Sequence, residues 1–415
     1  MGQPLSFVAV GQSLIKRDMR ALGSVPAVRD ILKSADVVFT NLEATITGQY
    51  GGWPTKPDYY AGPYPFVLDV LKDLGFNALS LSNNHAFDLG PNGVLSTLDE
   101  VKRRGFLHAG IGTDLSSASQ PGFLDMPVGR IALVAVDGGP NAAYTYAKDG
   151  TEKVPPRPGV NRQHVESVFL VGEDELAMLR RLKASIGHEA GHAPYYTLRP
   201  SRLPEGDLDF YGLRFRAGAG PRIEGIPDAA DLERNLSAIR KARSSADFVI
   251  AYLHHHHWEP RLSESPAWAR AFAQSCIDAG ANVFVSHGVP MLQGVEIHAG
   301  RPIFHSLGNF IFHSYNPKSW FNDWIWQSVI ARCQFAGDGS VGTIDLHPIV
   351  VGGEAALAGG DFTTREAPEI ATGARADAIL GRLDEVSRPL GSRVVIADGR
   401  GRLVADAVKP RAVAE

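Results

Sequence analysis

Four consecutive histidines, His254 to His257, close an apolar run in the stretch Asp247 to Pro260, DFVIAYLHHHHWEP. Imidazoles placed where a buried strand leaves its sheet are ligands for a divalent transition metal such as Zn, Mn or Fe. The run is internal, with a strand pattern before it and a helix pattern after it, which separates it from an expression tag. Side chains alternate along a strand, so His254 and His256 are expected on one face, with His255 and His257 pointing elsewhere. Other apolar runs also end in polar residues. Ser6 to Val10 leads to Gly11-Gln12, and Asp36 to Phe39 leads to Thr40-Asn41-Leu42-Glu43. Ala78 to Leu81 runs into Ser82-Asn83-Asn84-His85-Ala86-Phe87-Asp88, and Asn282 to Val285 into Ser286-His287-Gly288. In open α/β sheets such strand ends gather at one edge. A carboxylate, amides and imidazoles would meet there, and a divalent ion among them acidifies water without any activated Ser or Cys.

The elements that must position these residues alternate β and α up to about residue 136. Helices are expected at Phe66 to Leu74 and Pro91 to Arg104, and the segment IKRDMRALGSVPAVRDILKS after Gln12 also reads as helical. Between Gly48 and Pro65 lies a Pro-, Gly- and Tyr-rich loop whose Trp53, Tyr59 and Tyr60 either line a pocket or staple the loop down. From about 138 to 225 the pattern loosens into an insertion or lid, with an amphipathic helix at Glu173 to Ile186 and an irregular part holding His188, His192, Tyr195 and Tyr196. Alternation returns with helices at Ala229 to Ser245 and Pro266 to Ala279. The chain closes with a helix near Ala374 to Val386 and a hairpin, SRVVIADGRGRLVADA, turning at Asp398-Gly399 or Arg400-Gly401. The expected organisation is a catalytic domain over 1–350 containing the insertion, and a C-terminal extension over 351–415.

The 415 residues suffice for one large α/β domain with additions or for two ordinary ones. With 41 basic and 45 acidic residues, the net charge of −4 gives no broad footprint for nucleic acid or an anionic membrane. Cys276 and Cys333, each in an apolar segment, supply neither a disulfide framework nor a cysteine zinc site. The start, MGQPLSFVAVGQ, has no signal-peptide pattern, and no run of about 18 apolar residues occurs. The expectation is a cytoplasmic protein that acts on a small-molecule or peptide-like substrate, with homo-oligomerisation left open.

Several blocks together resemble the CapA-like family, named for poly-γ-glutamate synthesis and related to the calcineurin-like metallophosphoesterases. They are GQSLIKR, similar to a G-D-x-x-x-x-R opening; NLE at Asn41 to Glu43; NNHAFDLG at Asn83 to Gly90; His254; and SHGVPMLQGVEIHAGRPIFHSLGNFIF. The resemblance implies an α-β-β-α sandwich of two mixed sheets flanked by helices, with one or two metal ions, Zn or Mn, at the strand ends. By position it implies Glu43, Asn84, His254 and His287 as metal ligands, with His256 a further candidate. It also implies His85 as the acid that protonates a leaving group, with Asp88 orienting its ring. Arg17, Gln12, Asn41, His255 and His305 are candidates for substrate contact. Gln12 stands where the family has Asp, and Pro290 where it has a second His, so one tightly held ion with a weak or absent second is expected. Asn84 and Asp88 also suit helix capping, and Asn41 and Glu43 suit an ordinary turn.

These readings converge on a hydrolase using a metal-activated water, leaning toward amide or other C–N bonds of a small or acidic peptide-like substrate. A phosphoesterase, and a non-catalytic accessory protein of poly-γ-glutamate capsule synthesis, are the alternatives. One scaffold hosts several chemistries, so fold analogy does not choose among them.

Overall fold

Period-two apolar alternation builds two sheets that share one core. In the computed structural model, which describes residues 3–22, 25–56, 62–187, 203–313, 323–354 and 367–405, Phe7, Ala9 and Phe39 of one sheet pack with Leu133, Ala135, Ile250, Tyr252 and Val285 of the other. The intervening residues Val8, Val10 and Val38 turn the other way, into a second core with Val28, Leu32, Val67 and Leu71 of the flanking helices. On the outer face of the second sheet, Phe272 of the helix Ala267–Asp278 meets Phe284 edge-on. Helices therefore cover both outer faces, giving an α-β-β-α sandwich of mixed α/β class.

The first sheet runs in the order Ser392–Ala397, Arg400–Ala405, Val341–Val350, Gln327–Phe335, Leu5–Ala9, Val37–Asn41, Ala78–Ser80 and Leu107–Ala109. Its last four strands are parallel to one another. The second runs Val295–His298, Arg301–Phe304, Val283–His287, Phe248–His255, Gly129–Gly139 and Gly122–Met126, and its four central strands are parallel. Parallel strands deliver their C-terminal residues to one edge, so Glu43, His85, His254 and His287 all follow from topology.

Two expectations meet a different structure. Among the described residues of IKRDMRALGSVPAVRDILKS only Val25–Lys33 is an α-helix, and just before the segment, Gln12–Leu14 forms a strand parallel to Asn309–Phe312. Local periodicity cannot register a partner almost 300 residues away. The lid expected over 138–225 narrows to a compact unit at 164–229, while the residues before it belong to the main body. That unit carries a sheet ordered Leu208–Phe210, Leu213–Ala217, Val165–Val171, Arg222–Pro227, together with the helix Glu173–Ile186. The helix and hairpin expected at the C-terminus are present, and the hairpin continues the first sheet through pairing of Arg400–Ala405 with Val341–Val350. Asp398 and Gly399 make its turn, both at positive φ. Tyr59, Tyr60, His188, His192, Tyr195 and Tyr196 lie outside the described residues. Cys276 and Cys333 are free and buried.

The hairpin is pinned by Asp384, on the helix Gly373–Ser387, whose carboxylate accepts the Val394 N–H at 2.8 Å and pairs with Arg388. Asp384→Ala leaves that buried donor without its acceptor. The expected loss in urea unfolding is about 1–3 kcal/mol.

Candidate metal centre

Glu43, His254 and His256 bring one ligand atom each to within 4.8 Å of one another. His254 Nε2 lies 3.0 Å from His256 Nε2 and 4.0 Å from Glu43 Oε1. Two ligands each about 2.1 Å from a tetrahedral ion stand about 3.4 Å apart, so these spacings suit a shared cation. Parity explains the pairing: Tyr252 and His254 face the space between the sheets, and a register shift between His254 and His255 accompanies the return of His256 to the same side. His255 turns outward instead. It is buried edge-on against Trp268 of the outer helix, and His257 packs on the same ring.

The loop carrying Glu43 is locked by its neighbours. Its backbone N–H donates to Ser13 O at 3.0 Å, and Asn83 Nδ2 donates to Leu42 O and to Asn41 Oδ1. Asn83 Oδ1 in turn accepts from His85 N. Asn41 therefore cross-links two strand ends through its Oδ1. Gln12 donates from Nε2 to Asn309 Oδ1, and the orientation of Asn309 is set by its own donation to Ile325 O and Pro290 O. This leaves Gln12 Oε1 without a partner, as are Glu43 Oε2 and Asn84 Oδ1, all buried. Buried oxygens with no hydrogen-bond donor among the described residues are costly unless a cation or water meets them. The donor set of carboxylate, imidazole and amide oxygen fits a divalent transition metal.

Beside this cluster His85 Nδ1 meets Asp88 Oδ2 at 2.6 Å, and Lys56 Nζ meets Asp88 Oδ1 and Asn84 O, each at 2.8 Å. Burial pushes the Asp88 carboxyl up, but His85 and Lys56 hold it below the usual carboxylate range. Burial lowers His85, with Asp88 opposing. Burial also pushes Glu43 up to about 8 and His256 down to about 3, the directions expected of ionisable groups kept from water. Lys16 and Arg17 stand close enough to influence one another, and Asp88 acts on Lys16 in turn.

Two of the expected residues are taken up elsewhere. His305 Nε2 bonds Glu296 Oε2 at 3.2 Å, in a network with Arg270 and Gln274 that holds Glu296 at about 2 against burial. His287 faces inward in register with His254, but its Nε2 meets Val10 O and its Nδ1 meets the Tyr252 hydroxyl. The sequence reading passed over Lys56, Asn83, Tyr252 and Asp137. Asp137 is a buried carboxylate in register with His254, pushed up to about 6 by burial and bonded by Asn141 at 2.7 Å. Its place at the end of an apolar run, Arg130 to Val136, was the available signal.

With this geometry in place, comparison with known proteins supplies the family. Residues 6–314 match the model for "Bacterial capsule synthesis protein PGA_cap". The chain belongs to this family. PGA_cap proteins fall within the metallophosphoesterase-like superfamily, whose members are generally metal-dependent. The uncharacterized proteins y4sH and y4uA of Sinorhizobium fredii (strain NBRC 101917 / NGR234) are each 29% identical over 448 residues, covering 95% of this chain and 92% of the relative. The PGA biosynthesis protein CapA of Bacillus subtilis (strain 168) is 24% identical over 286 residues, covering 69% of this chain and 55% of CapA. Among the described residues no helix is long and apolar enough to cross a membrane.

The two faces of the histidine run are separable by substitution. His256→Ala is expected to reduce bound transition metal from stoichiometric to trace in elemental analysis. His255→Ala is expected to leave metal content at the wild-type level while lowering thermal stability through lost packing on Trp268.

Proposed function

We propose that this PGA_cap protein is a metal-dependent hydrolase that cleaves an amide or other C–N bond in a small or acidic peptide-like substrate. The observation that carries the reading is the placement of the Glu43, His254 and His256 cluster in the same strand-end edge as the His85–Asp88 pair. Glu43, His254 and His256 would hold the ion, with Asn84 and Gln12 offering amide oxygens. A bound divalent ion supplies Lewis acidity, polarising the scissile group and acidifying water.

The chain's own residues supply the proton chemistry and the orientation. Asp88 accepts from His85 Nδ1, which fixes the ring and leaves Nε2 as the atom through which a proton passes to the leaving group. Lys56 secures Asp88 and the Asn84 carbonyl together, so the proton donor and the ligand-bearing loop keep one relative position. Lys56, Lys16 and Arg17 place positive charge on this side of the site, which suits a substrate carrying carboxylates. The poly-γ-glutamate connection in the names of the family and of CapA supports the same substrate class, since that polymer is an acidic amide. On this reading the chain serves capsule-type polymer metabolism as an enzyme.

A screen of amide, lactam, phosphomonoester and phosphodiester substrates on the metal-loaded protein tests the bond class, with turnover expected on the amides. Phosphoester turnover alone would replace the reading with a phosphoesterase. On the substrate that turns over, His85→Ala is expected to lower kcat by about 10²–10⁴-fold while metal content is unchanged.

A further inference from the structure

Tyr252 is fully buried, packed on Phe39 with ring centroids 5.5 Å apart, in a layer where phenylalanine would serve equally well for packing. A hydroxyl buried at such a place costs stability unless it is bonded, so its partners show what it is for. They are two imidazoles: His287 Nδ1 at 3.3 Å and His254 Nδ1 at 3.5 Å.

The direction of these bonds is set from one end. Val10 O is a backbone carbonyl and can only accept, so the proton of the neutral His287 ring sits on Nε2, 3.1 Å from that oxygen. His287 Nδ1 is then a bare acceptor and takes the single O–H of Tyr252. The Tyr252 oxygen is left with lone pairs for His254, which donates from Nδ1. His254 Nε2 is consequently the unprotonated nitrogen, and it is the atom that faces His256 Nε2 at 3.0 Å and Glu43 Oε1 at 4.0 Å.

We propose that Tyr252 and His287 are positioning residues that hold His254 in the tautomer required of a metal ligand, and that His287 is not itself a ligand. The proposal rests on the reading of Glu43, His254 and His256 as the metal centre. It assigns to His287 a role different from the one its position in the family motif implies. Strand geometry supports the assignment, because Tyr252 and His254 share a face and His287 is the cross-strand partner of His254. Tyr252 and His254 lie on Phe248–His255 and His287 on Val283–His287, while the anchoring carbonyl of Val10 directly follows the strand Leu5–Ala9.

The test is a competition titration of the full-length, metal-free protein with Zn²⁺, run on wild type, Tyr252→Phe, His287→Gln, the double variant and His254→Ala. Tyr252→Phe keeps the ring and its packing, so the metal-free protein should still fold cooperatively, with a melting temperature lowered only by the lost hydrogen bonds, while Zn²⁺ affinity falls about 10–100-fold. His287→Gln should lose a comparable factor, and the double variant no more than the larger single loss, because both act through one chain. The visible spectrum of the Co²⁺-loaded protein should keep wild-type intensity and band positions in both single variants. Wild-type affinity in Tyr252→Phe, additive losses in the double variant, or a changed Co²⁺ spectrum in His287→Gln would each overturn the proposal. If His254→Ala abolishes binding while Tyr252→Phe does not weaken it, the relay alone fails. If the wild type binds no metal, the metal centre fails with it. Should His287→Gln not fold, the Tyr252→Phe affinity decides.

Discussion

Glu43 is a carboxylate closed off from water, with an imidazole nitrogen of His254 and one of His256 within 4.8 Å. Without a cation such a group stays neutral or destabilises the fold, and burial pushes it up to about 8. With a cation the same three atoms become a ligand set, and the unfavourable burial becomes a source of affinity. Much of the surrounding structure serves to keep them where that conversion works. Ser13 and Asn83 hold the loop of Glu43, and the strand Phe248–His255 aims His254 between the sheets. Packing restricts the alternatives: at Gly288, in the loop after His287, φ is +118° and an added Cβ would fall 1.9 Å from His255 O. Only glycine lets the two strand ends approach this closely.

The second sheet divides one histidine run between two environments. Inward, His254 and His256 meet Glu43; outward, His255 and His257 meet Trp268. Four imidazoles in a row therefore do not make a four-histidine site. Glu43 follows a strand of the other sheet, Gln12 sits on the strand paired with Asn309–Phe312, and the His85–Asp88–Lys56 group comes from a further strand end and a loop. The PGA_cap scaffold gathers these pieces by topology, which is why residues more than 200 positions apart lie side by side.

Much of this was legible in the sequence because it follows from local rules. Apolar runs ending in polar residues mark the parallel strand ends, and period-two parity separates His254 from His255, as their opposite environments show. The helix Phe66–Leu74 and the C-terminal hairpin were readable from apolar spacing and turn chemistry, with Asp398-Gly399 and Arg400-Gly401 both fitting the turn that Asp398-Gly399 makes. What stayed hidden depends on distant partners. Gln12–Leu14 becomes a strand only because Asn309–Phe312 lies beside it, and Lys56 matters only because its loop returns to Asp88. Tyr252 looked like one more core residue in an apolar run, since nothing local tells a packed ring from a bonded hydroxyl. His287 and His305 could be placed near the site by motif, but not their hydrogen-bond partners Val10 and Glu296.

Anomalous diffraction at the absorption edge of the bound metal, from crystals of the full chain, tests the centre most directly. The account predicts a peak bonded by Glu43, His254 and His256 at about 2.0–2.2 Å, with His255 and His305 away from it. A peak on the Trp268 side of the second sheet, or none in protein shown to be saturated with Zn²⁺ or Mn²⁺, would contradict it.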